Sequence, residues 1–378
     1  MSLINNNIIL NAHRAMKMVR IINFSPRSSI GPLCFDISVT SGCNHKCYFC
    51  KTHSDLVNDK PQRATLPEPV MRDFLNDCIK LGVQEVLFAG AGEPFLVKYL
   101  PEIIIEYGRK IKIKVLTNGS VLHKIGSPQL IDSIYKLSIS LNSISRETHK
   151  LIHGYRDIRQ FDRIMQGVDK ILEIPRIRKK LQINYVITAQ NINEFDRVIE
   201  MSHSRDIFFA MRPLGISFDE LECKKLQEDS IRLLHEKVED LLKSTYLNQR
   251  AIETLMFVRG SLSVVTKIYQ SKNELLPCYS GFYWGHIQGN GDYSLCCHGS
   301  KMLGNIREKS LYEIWKSKET QSEIYSAATM RETNTPVCSY CFKCRDPYMY
   351  SALFHKYFSV IPFQLAMMRF WKRRKSGQ

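Results

Sequence analysis

Three cysteines lie close together near the start of the chain, in the spacing Cys43-x3-Cys47-x2-Cys50. Alternating apolar and polar residues over 35–40 predict a strand before them, and the Ser-Gly pair that precedes Cys43 is typical of a turn. Soft sulfur ligands bind iron–sulfur clusters, zinc or cuprous ions. Three thiolates are one short of completing a 4Fe–4S cluster, so one iron would be left for a ligand that is not protein. Zinc is the alternative, although structural zinc sites usually use two separated pairs of ligands.

A second group of cysteines lies towards the C-terminus. Cys278 and Cys296 flank a Gly-Asn-Gly-Asp run that is typical of a hairpin turn, and we expect the hairpin to bring them together. Cys338, Cys341 and Cys344 follow, with two residues between each cysteine and the next. Four thiolates complete a 4Fe–4S site. A zinc ribbon is the alternative, because two ligand pairs also suit tetrahedral zinc.

The composition describes an ordinary globular protein with a strongly basic surface. The 378 residues are 44% hydrophobic and 24% charged, which is typical of two or three soluble domains. Lysine and arginine number 53 against 37 acidic residues, and the formal net charge is +16. This charge favours anionic partners such as nucleic acid, anionic lipid or phosphorylated molecules, without choosing among them. An excess of solvated lysines explains it equally well.

The twelve cysteines are expected to be reduced. No apolar signal segment begins the sequence, so we expect metal sites in a cytoplasmic protein rather than the disulfide framework of a secreted one. The apolar run over 357–368 is too short to cross a bilayer and is broken by Pro362. The aromatic and basic tail could contact an anionic surface, either a membrane or a nucleic acid. A closing helix with a solvated basic end is the alternative for this tail.

Strand-like and helix-like segments alternate between residues 35 and 213, which predicts an α/β fold with a parallel sheet of about six βα units. Six units are fewer than the eight of a complete barrel. Helices are expected near 68–82, 97–109, 128–135, 146–174 and 192–204, and strands within 35–40, 83–90, 111–119, 136–142, 181–189 and 206–214.

The cysteine spacing, with Asn44 after the first cysteine and Phe49 before the third, resembles the signature of the radical S-adenosylmethionine (radical SAM) superfamily. The resemblance implies a partial (β/α)6 TIM-like barrel with its site at the C-terminal ends of the strands. It also implies that the open iron binds the amino and carboxylate groups of S-adenosylmethionine (SAM). An electron from the cluster would then cleave SAM to methionine and a 5′-deoxyadenosyl radical.

Turns after the later strands carry residues that this resemblance assigns to SAM. The sequence Gly-Ala-Gly-Glu-Pro over 90–94 resembles a motif that binds the amino group of the SAM methionine, with its first glycine pair spread by an alanine. The Thr-Asn-Gly turn at 117–119 also resembles a turn of this family, but it could equally be an ordinary turn at the end of a strand. Asn142 stands where the family usually has aspartate, and Arg212 is a candidate contact for an anionic group or simply a surface arginine. The residues expected to bind SAM are Phe49, Gly90, Gly92, Glu93, Pro94, Asn118, Ser140, Asn142 and Ile187.

The C-terminal region resembles the SPASM/twitch extension of radical SAM enzymes. Cys278, Gly291 and Cys296 fit its Cys-x9–15-Gly-x4-Cys spacing, and the phrase Gly-Asn-Ile at 304–306 is typical of it. The chain lacks the later cysteines of a full SPASM domain, so we expect one auxiliary 4Fe–4S cluster, twitch-like. Its expected ligands are Cys278, Cys296, Cys338 and Cys341, with Cys344 competing for the last position and Cys297 the least favoured.

The auxiliary cluster would accept an electron from the substrate or bind the substrate directly.

The sequence is expected to divide into five parts with different tasks. The expected parts are an N-terminal extension (1–34), the radical SAM partial barrel (35–213), a helical bridge (214–275), the auxiliary cluster domain (276–345) and a basic aromatic tail (346–378).

The resemblance implies an enzyme that abstracts hydrogen from a C–H bond of its substrate. We expect a net oxidation or maturation of a sugar-like or aminocyclitol-type metabolite or of a peptide, with flavodoxin or ferredoxin as the electron donor. RNA modification, peptide cross-linking or epimerisation, and a non-enzymatic iron–sulfur scaffold are the alternatives. No residue type or spacing identifies a catalytic acid or base.

Overall fold

A computed structural model of the chain describes nearly all of the expected barrel and part of the expected auxiliary cluster domain. The predictions for the N-terminal thirty residues, for Cys338, Cys341 and Cys344, and for the tail lie outside the described residues. The described residues are 31–58, 62–125, 127–155, 157–214, 226–270, 278, 280–297, 301–328 and 336.

The described strands form one sheet, and they are β1 (Cys34–Ile37), β2 (Glu85–Phe88), β3 (Lys112–Thr117), β4 (Lys136–Ser140), β5 (Leu181–Ile187), β6 (Phe209–Pro213), β7 (Trp284–Ile287), β8 (Asp292–Ser294) and β9 (Gly304–Asn305). Their order in the sheet is β6-β5-β4-β3-β2-β1-β7-β8-β9. The pairs from β6 through β1 to β7 are parallel, whereas β7–β8 and β8–β9 are antiparallel.

Helices connect the parallel strands. Short 3-10 helices cover Pro94–Leu96, Ile177–Lys179 and Ile192–Glu194. The α-helices of the described residues are α1 (Glu68–Lys80), α2 (Leu100–Tyr107), α3 (Leu122–Ile125), α4 (Pro128–Ser133), α5 (Arg146–His153), α6 (Arg159–Leu172), α7 (Phe195–Arg205), α8 (Glu228–Leu242), α9 (Gln249–Gln270), α10 (Ser280–Tyr283), α11 (Leu311–Lys316) and α12 (Lys318–Ala328).

The single helix expected over 146–174 is wrong, because the chain forms α5 and α6 with a break between them. Gly154 ends α5 in the left-handed conformation, at φ 62°, and its N–H donates to the carbonyl of Lys150. Glycine adopts this conformation without steric cost, which makes it a common helix terminator. The sequence contained this signal, and the strong apolar periodicity on both sides of Gly154 obscured it.

The two faces of the sheet differ in burial. In β5, Leu181, Ile183, Tyr185 and Ile187 are buried, and the residues between them are half-buried. The buried face belongs to a core that the helices share, for example through Ile164 of α6. Burying one such aliphatic side chain contributes about 1.5–3 kcal/mol to folding.

The expected α/β fold is confirmed. The six strands β1 to β6 are parallel, lie in sequence order and alternate with helices, as in a partial (β/α)6 TIM-like barrel. The expected helical region after residue 214 contains α8 and α9. Thr254 of α9 accepts a hydrogen bond from the N–H of Phe209 at 3.0 Å, so α9 satisfies part of the open edge of β6.

The smaller C-terminal domain continues the same sheet. Its hairpin, β7 and β8, turns at the predicted glycine-rich run, where Gly291 has φ 98°. Strand β7 pairs with β1, and a side-chain carbon at Gly285 would come within 2.4 Å of the Phe35 ring. The hairpin and the barrel therefore share one set of strand contacts.

Membrane insertion finds no support in the described part of the chain. None of the helices there combines the length and the apolar character that crossing a bilayer requires.

Candidate metal centre

The three N-terminal cysteines occupy a half-buried loop that follows β1. Burial raises the pKa of Cys43, and neighbouring Glu93 and Cys50 add to that effect against a hydrogen bond from His45. Burial, followed by the charges of Cys50 and Cys43, raises the pKa of Cys47 well above its ordinary value. Thiols that oppose one another's ionisation in this way suit a cationic group that binds all three as thiolates. The donor set therefore fits an iron–sulfur cluster.

The C-terminus of α5 holds this loop through its backbone. The N–H of Lys46 donates to the carbonyl of His153 and the N–H of Tyr48 donates to the carbonyl of Ile152, both at 3.0 Å. These bonds lie on either side of the second cysteine. A side-chain carbon at Gly154 would come within 2.6 Å of the Lys46 carbonyl oxygen, so glycine is required for this close approach.

His153 also contacts the loop through its side chain. Its Nδ1 lies 3.1 Å from Sγ of Cys47, and its Nε2 lies 3.0 Å from the carbonyl oxygen of Leu141. The rings of His45 and His149 lie 5.1 and 4.1 Å from the ring of His153. Burial lowers the pKa of His153 to about 4 and that of His45 to about 3.

This histidine cluster (His45, His149 and His153) was missed in the sequence. Ligand atoms of His45, Cys47 and His153 lie within 4.8 Å of one another, close enough to hold a metal ion. The four-residue spacing of His149 and His153 places both on one face of a helix, which was the available signal. The contact of His153 with Cys47, more than a hundred residues away, depends on how α5 meets the loop.

Glu93 connects the turns that follow β2 and β3. The carboxylate is buried and accepts hydrogen bonds from Phe95 N at 3.1 Å, Thr117 Oγ1 at 2.7 Å and Asn118 N at 2.6 Å. Burial raises its pKa to about 7, and the three hydrogen bonds act in the opposite direction. No lysine, arginine or histidine of the described residues forms an ion pair with it. A buried carboxylate of this kind fits an ammonium ligand.

The two glycines before Glu93 allow this turn to lie directly against the cysteine loop. Gly90 has φ 101°, and a side-chain carbon there would overlap Oγ of Ser38. A side-chain carbon at Gly92 would come within 2.4 Å of the carbonyl oxygens of Thr40 and Gly42. Such distances are far inside van der Waals contact, so only glycine fits. Pro94 then begins the next 3-10 helix and is buried.

Asn118 lies against the cysteine loop. Its Nδ2 lies 3.8 Å from Sγ of Cys43 and donates to Oδ1 of Asn44 at 2.8 Å. Asn44 in turn donates to Oγ of Ser120 at 2.9 Å. The turn after β3 is therefore connected to the thiols, which a strand-ending turn alone would not require.

The other predicted SAM contacts have different surroundings. Asn142, at φ 54°, accepts a hydrogen bond from Val186 N at 2.8 Å through its side chain, so it joins the ends of β4 and β5. Ile187 is fully buried on the helix-facing side, whereas Ser140 and Phe49 are half-buried. Their contacts with SAM stay predictions.

The second group of cysteines is described in part. The N–H of Cys278 donates to the carbonyl of Ala327 at 2.9 Å, and Cys296 lies two residues after the end of β8. The carbonyl of Cys297 accepts a hydrogen bond from Nζ of Lys51 at 2.5 Å. Because Lys51 follows the third cysteine of the first loop, the two cysteine regions are in contact. The ligand set expected for an auxiliary cluster stays a prediction.

Two family models match the chain. Residues 37–202 match the model described as the radical SAM superfamily, and residues 278–345 match SPASM, described as an iron–sulfur cluster-binding domain. The two matches together span more than half of the chain.

Curated relatives match about half of the chain. A protein named probable GTP 3′,8-cyclase from Saccharolobus solfataricus is 26% identical over 218 residues, which cover 54% of this chain and 64% of the relative. Its namesake from Methanocella arvoryzae is 28% identical over 164 residues, covering 43% and 51%. The chain thus matches less than two thirds of the length of these relatives.

Solved structures share the fold at low sequence identity. Streptococcus suis SuiB bound to S-adenosylmethionine has a TM-score of 0.57 at 18% identity, over 84% of this chain and 74% of that one. The structure of anSMEcpe with bound AdoMet has a TM-score of 0.56 at 18% identity, over 83% and 88%. These similarities support the architecture described above.

Proposed function

Because the chain belongs to the radical SAM superfamily and carries a SPASM iron–sulfur domain, we propose that it abstracts hydrogen from a C–H bond of a peptide or small molecule. SAM and iron–sulfur clusters are its cofactors. When bound, the 4Fe–4S cluster supplies the electron that cleaves SAM to methionine and the 5′-deoxyadenosyl radical that abstracts the hydrogen. The observation that carries the proposal is the meeting of the cysteine loop with Glu93 and Asn118.

The residues around the loop have separate roles in this proposal. Cys43, Cys47 and Cys50 would hold the cluster as thiolates. Glu93 would bind the amino group of the SAM methionine, since its buried carboxylate has no ion-pair partner among the described residues. Gly92 would let the backbone lie close to SAM.

A net oxidation follows if the auxiliary domain takes part. The substrate would lose one hydrogen atom to the 5′-deoxyadenosyl radical, one electron to the auxiliary cluster and one proton to solvent, which together are a two-electron oxidation. Cys278 and Cys296 would supply two of the cluster ligands, and the contact of Lys51 with Cys297 supports a short path between the two cysteine regions. An electron donor such as flavodoxin or ferredoxin would reduce the first cluster.

The names of related proteins support two substrate classes. The curated relatives are named as GTP cyclases, which act on a nucleotide. SuiB has been solved with its precursor peptide SuiA, with a TM-score of 0.58 at 18% identity over 90% of this chain and 76% of that one. A small molecule or a peptide is therefore proposed here.

Formation of 5′-deoxyadenosine tests the proposed reaction. The protein would be purified without oxygen, reconstituted with iron and sulfide, reduced with dithionite and supplied with SAM. We expect 5′-deoxyadenosine and methionine from the wild type and none above background from Cys43→Ala. Cys34→Ala is the matched control, because Cys34 is a buried cysteine of β1 outside the loop. Equal product from the wild type and Cys43→Ala would contradict the proposal.

A further inference from the structure

Three side chains that can ligate a metal ion meet beside the second cysteine of the loop, and one of them alone belongs to the proposed cluster. Ligand atoms of His45, Cys47 and His153 lie within 4.8 Å of one another. Nδ1 of His153 lies 3.1 Å from Sγ of Cys47. A nitrogen and a sulfur bound to one tetrahedral zinc ion, at about 2.0 and 2.3 Å from it, are roughly 3.5 Å apart. The arrangement therefore fits a single ion after a small adjustment.

The backbone determines which nitrogen of His153 faces the sulfur. Its Nε2 donates to the carbonyl of Leu141 at 3.0 Å, because a carbonyl oxygen can only accept. In the neutral ring, Nδ1 then carries the lone pair on the side of Cys47. Histidines that ligate metals commonly donate their other ring N–H to a backbone carbonyl or a carboxylate. The ring of His153 is therefore held in the tautomer and orientation of a metal ligand.

The second histidine has a ring nitrogen without a partner. His45 is buried, with 2% of its surface exposed, and its Nδ1 has no hydrogen-bond partner among the described residues. Its Nε2 lies 3.3 Å from the side-chain nitrogen of Gln160, and the amide of Gln160 can turn over to bond either tautomer of the ring. A buried polar atom without a partner costs free energy. An ion bound at this position supplies the missing partner.

The three thiols of the loop are spaced differently. Within the part of the chain that the structure describes, no other three ligands of this kind lie so close together, so Cys43, Cys47 and Cys50 do not all come near enough to share one ion. Thiolates around a 4Fe–4S cluster bind different irons and need no common ion. The loop therefore offers two alternative metal sites, and both of them use Cys47.

We propose that Cys47, His45 and His153 bind a single zinc ion before the cluster is assembled, and that zinc and the cluster exclude each other because both need Cys47. One thiolate and two imidazoles suit zinc, whereas magnesium and calcium prefer oxygen ligands. Three protein ligands leave the fourth tetrahedral position to water. Zinc would displace the thiol proton of Cys47 to solvent, and no electron would be transferred. The statement about the cluster rests on the proposed function, whereas the zinc site does not.

The site connects two elements that must meet for the cysteine loop to form. His153 ends α5, and the carbonyls of His153 and Ile152 accept hydrogen bonds from the loop backbone on either side of Cys47. An ion held by His153 from the helix and by His45 and Cys47 from the loop would add a side-chain link to this backbone contact. Zinc would therefore stabilise the loop and block cluster assembly at the same time.

Zinc binding to the full chain, stripped of metal and kept reduced, tests the site. Competition with a chromophoric chelator would give the number and affinity of the bound zinc ions. We expect His153→Leu to weaken the binding of one zinc ion by roughly a hundredfold or more, since losing a group that merely supports a ligand already costs about ten- to a hundredfold. His123→Leu, which removes an exposed histidine of α3, is the matched control and should bind zinc as the wild type does.

Cys50→Ala separates this site from a zinc site made by the three thiols. It should keep the ion that His153→Leu loses. Zinc held by the C-terminal cysteines would be the same in every variant, so it cancels in the comparison.

Iron content after zinc loading tests the exclusion. The wild type and His153→Leu would each be loaded with zinc and then reconstituted with iron and sulfide. We expect the zinc-loaded wild type to hold about four irons fewer than zinc-loaded His153→Leu, which is the content of one cluster.

Three results would overturn the inference. Equal zinc affinity in the wild type and His153→Leu, or loss of the ion in Cys50→Ala, would refute the site, and equal iron in the two zinc-loaded proteins would refute the exclusion. If His153→Leu fails to fold by circular dichroism, His45→Gln replaces it with the same expected results. Absence of 5′-deoxyadenosine from the zinc-free, reconstituted wild type would contradict the proposed function and leave the zinc site standing.

Discussion

Glu93 connects three parts of the site with one carboxylate. Both of its oxygens accept hydrogen bonds from the turns after β2 and β3, and its own turn packs on the cysteine loop. An amide in its place would have one acceptor oxygen and would present an N–H group to a backbone donor. It would also lose the attraction for an ammonium group.

Glu93→Gln is therefore expected to weaken SAM binding by about tenfold or more, because charge-assisted hydrogen bonds are the stronger ones. Equilibrium dialysis with radiolabelled SAM on the reconstituted protein measures this. Glu102→Gln is the control, since Glu102 is an exposed acid in the first turn of α2. Unchanged SAM affinity in Glu93→Gln would refute the assigned role.

His153 is expected to influence the reduction potential of the cluster in the cysteine loop. Because the carbonyl of Leu141 accepts a hydrogen bond from Nε2, the ring can also donate from Nδ1 to a Cys47 thiolate, 3.1 Å away, only as an imidazolium. The negative charge of a thiolate-bound cluster would favour that protonated form against the burial that lowers the pKa of His153. Hydrogen bonds to cluster sulfurs stabilise the more negative, reduced state. We expect His153→Leu to lower the midpoint potential by roughly 30–60 mV, where about 59 mV is tenfold for one electron.

An EPR-monitored redox titration measures the effect of His153→Leu. His123→Leu, which changes an exposed histidine of α3, is the matched control. Equal potentials in the two variants would show that His153 only packs against the loop.

Lys136 makes a prediction about stability that is independent of any ligand. Because its pKa is lowered in the folded state to about 8, the protonated amine opposes folding. That penalty is complete below pH 8 and disappears as pH rises towards about 10.4, the ordinary lysine value. The difference in Tm between Lys136→Met and the wild type should therefore narrow from pH 8 to pH 10. A constant difference would show that the amine is not penalised.

At the scale of elements, the approach of two turns determines whether the cysteine loop can form. A methyl group at Gly92 would meet backbone oxygens of Thr40 and Gly42, which cannot move without moving the loop. Gly92→Ala is expected to lose the iron of this loop, about four atoms per protein, as measured by iron analysis after reconstitution.

Gly260→Ala is the control for that variant. A side-chain carbon at Gly260, in the interior of α9, would meet nothing within 4 Å. Alanine there should keep the full iron content and stabilise the protein by about 0.5–1 kcal/mol. Full iron content in Gly92→Ala would mean that the turn does not restrict the loop.

Local patterns in the sequence were sufficient for most elements. Alternation in β3 to β5 predicted the strands, and the glycine-rich run predicted the β7–β8 turn. The apolar periodicity over 146–174 predicted one helix, but Gly154, in the left-handed conformation, ends the first of two helices there. A helix-terminating glycine therefore determined the helix boundary more strongly than the periodicity did.

Contacts between distant elements were beyond the sequence. The resemblance marked Cys47 and Glu93, but nothing local indicated that His153 would meet Cys47, because that contact depends on where α5 ends. The shared face of Lys114 and Arg212 likewise depends on the register of four strands. Patterns within one strand do not contain that register.

At the scale of the whole molecule, the sheet makes the two domains interdependent. Because β7 pairs with β1, the hairpin of the C-terminal domain and the barrel should unfold together. The tryptophans, Trp284, Trp315 and Trp371, all lie in the C-terminal part of the chain, whereas most described helical residues lie before it. Thermal unfolding followed by tryptophan fluorescence and by far-UV circular dichroism should give coincident transitions. Two separate transitions would show that the domains unfold independently.

The central claim is that the chain holds one cluster in the cysteine loop and a second, auxiliary cluster in its C-terminal domain. Iron and sulfide would be counted in the reconstituted wild type and in a variant with Cys43, Cys47 and Cys50 all replaced by alanine. At four irons per cluster, we predict about eight irons in the wild type and about four in the variant. About four irons falling to none, with zinc in both proteins, would contradict the claim. The C-terminal cysteines would then be structural, and the proposed oxidation would have no electron acceptor.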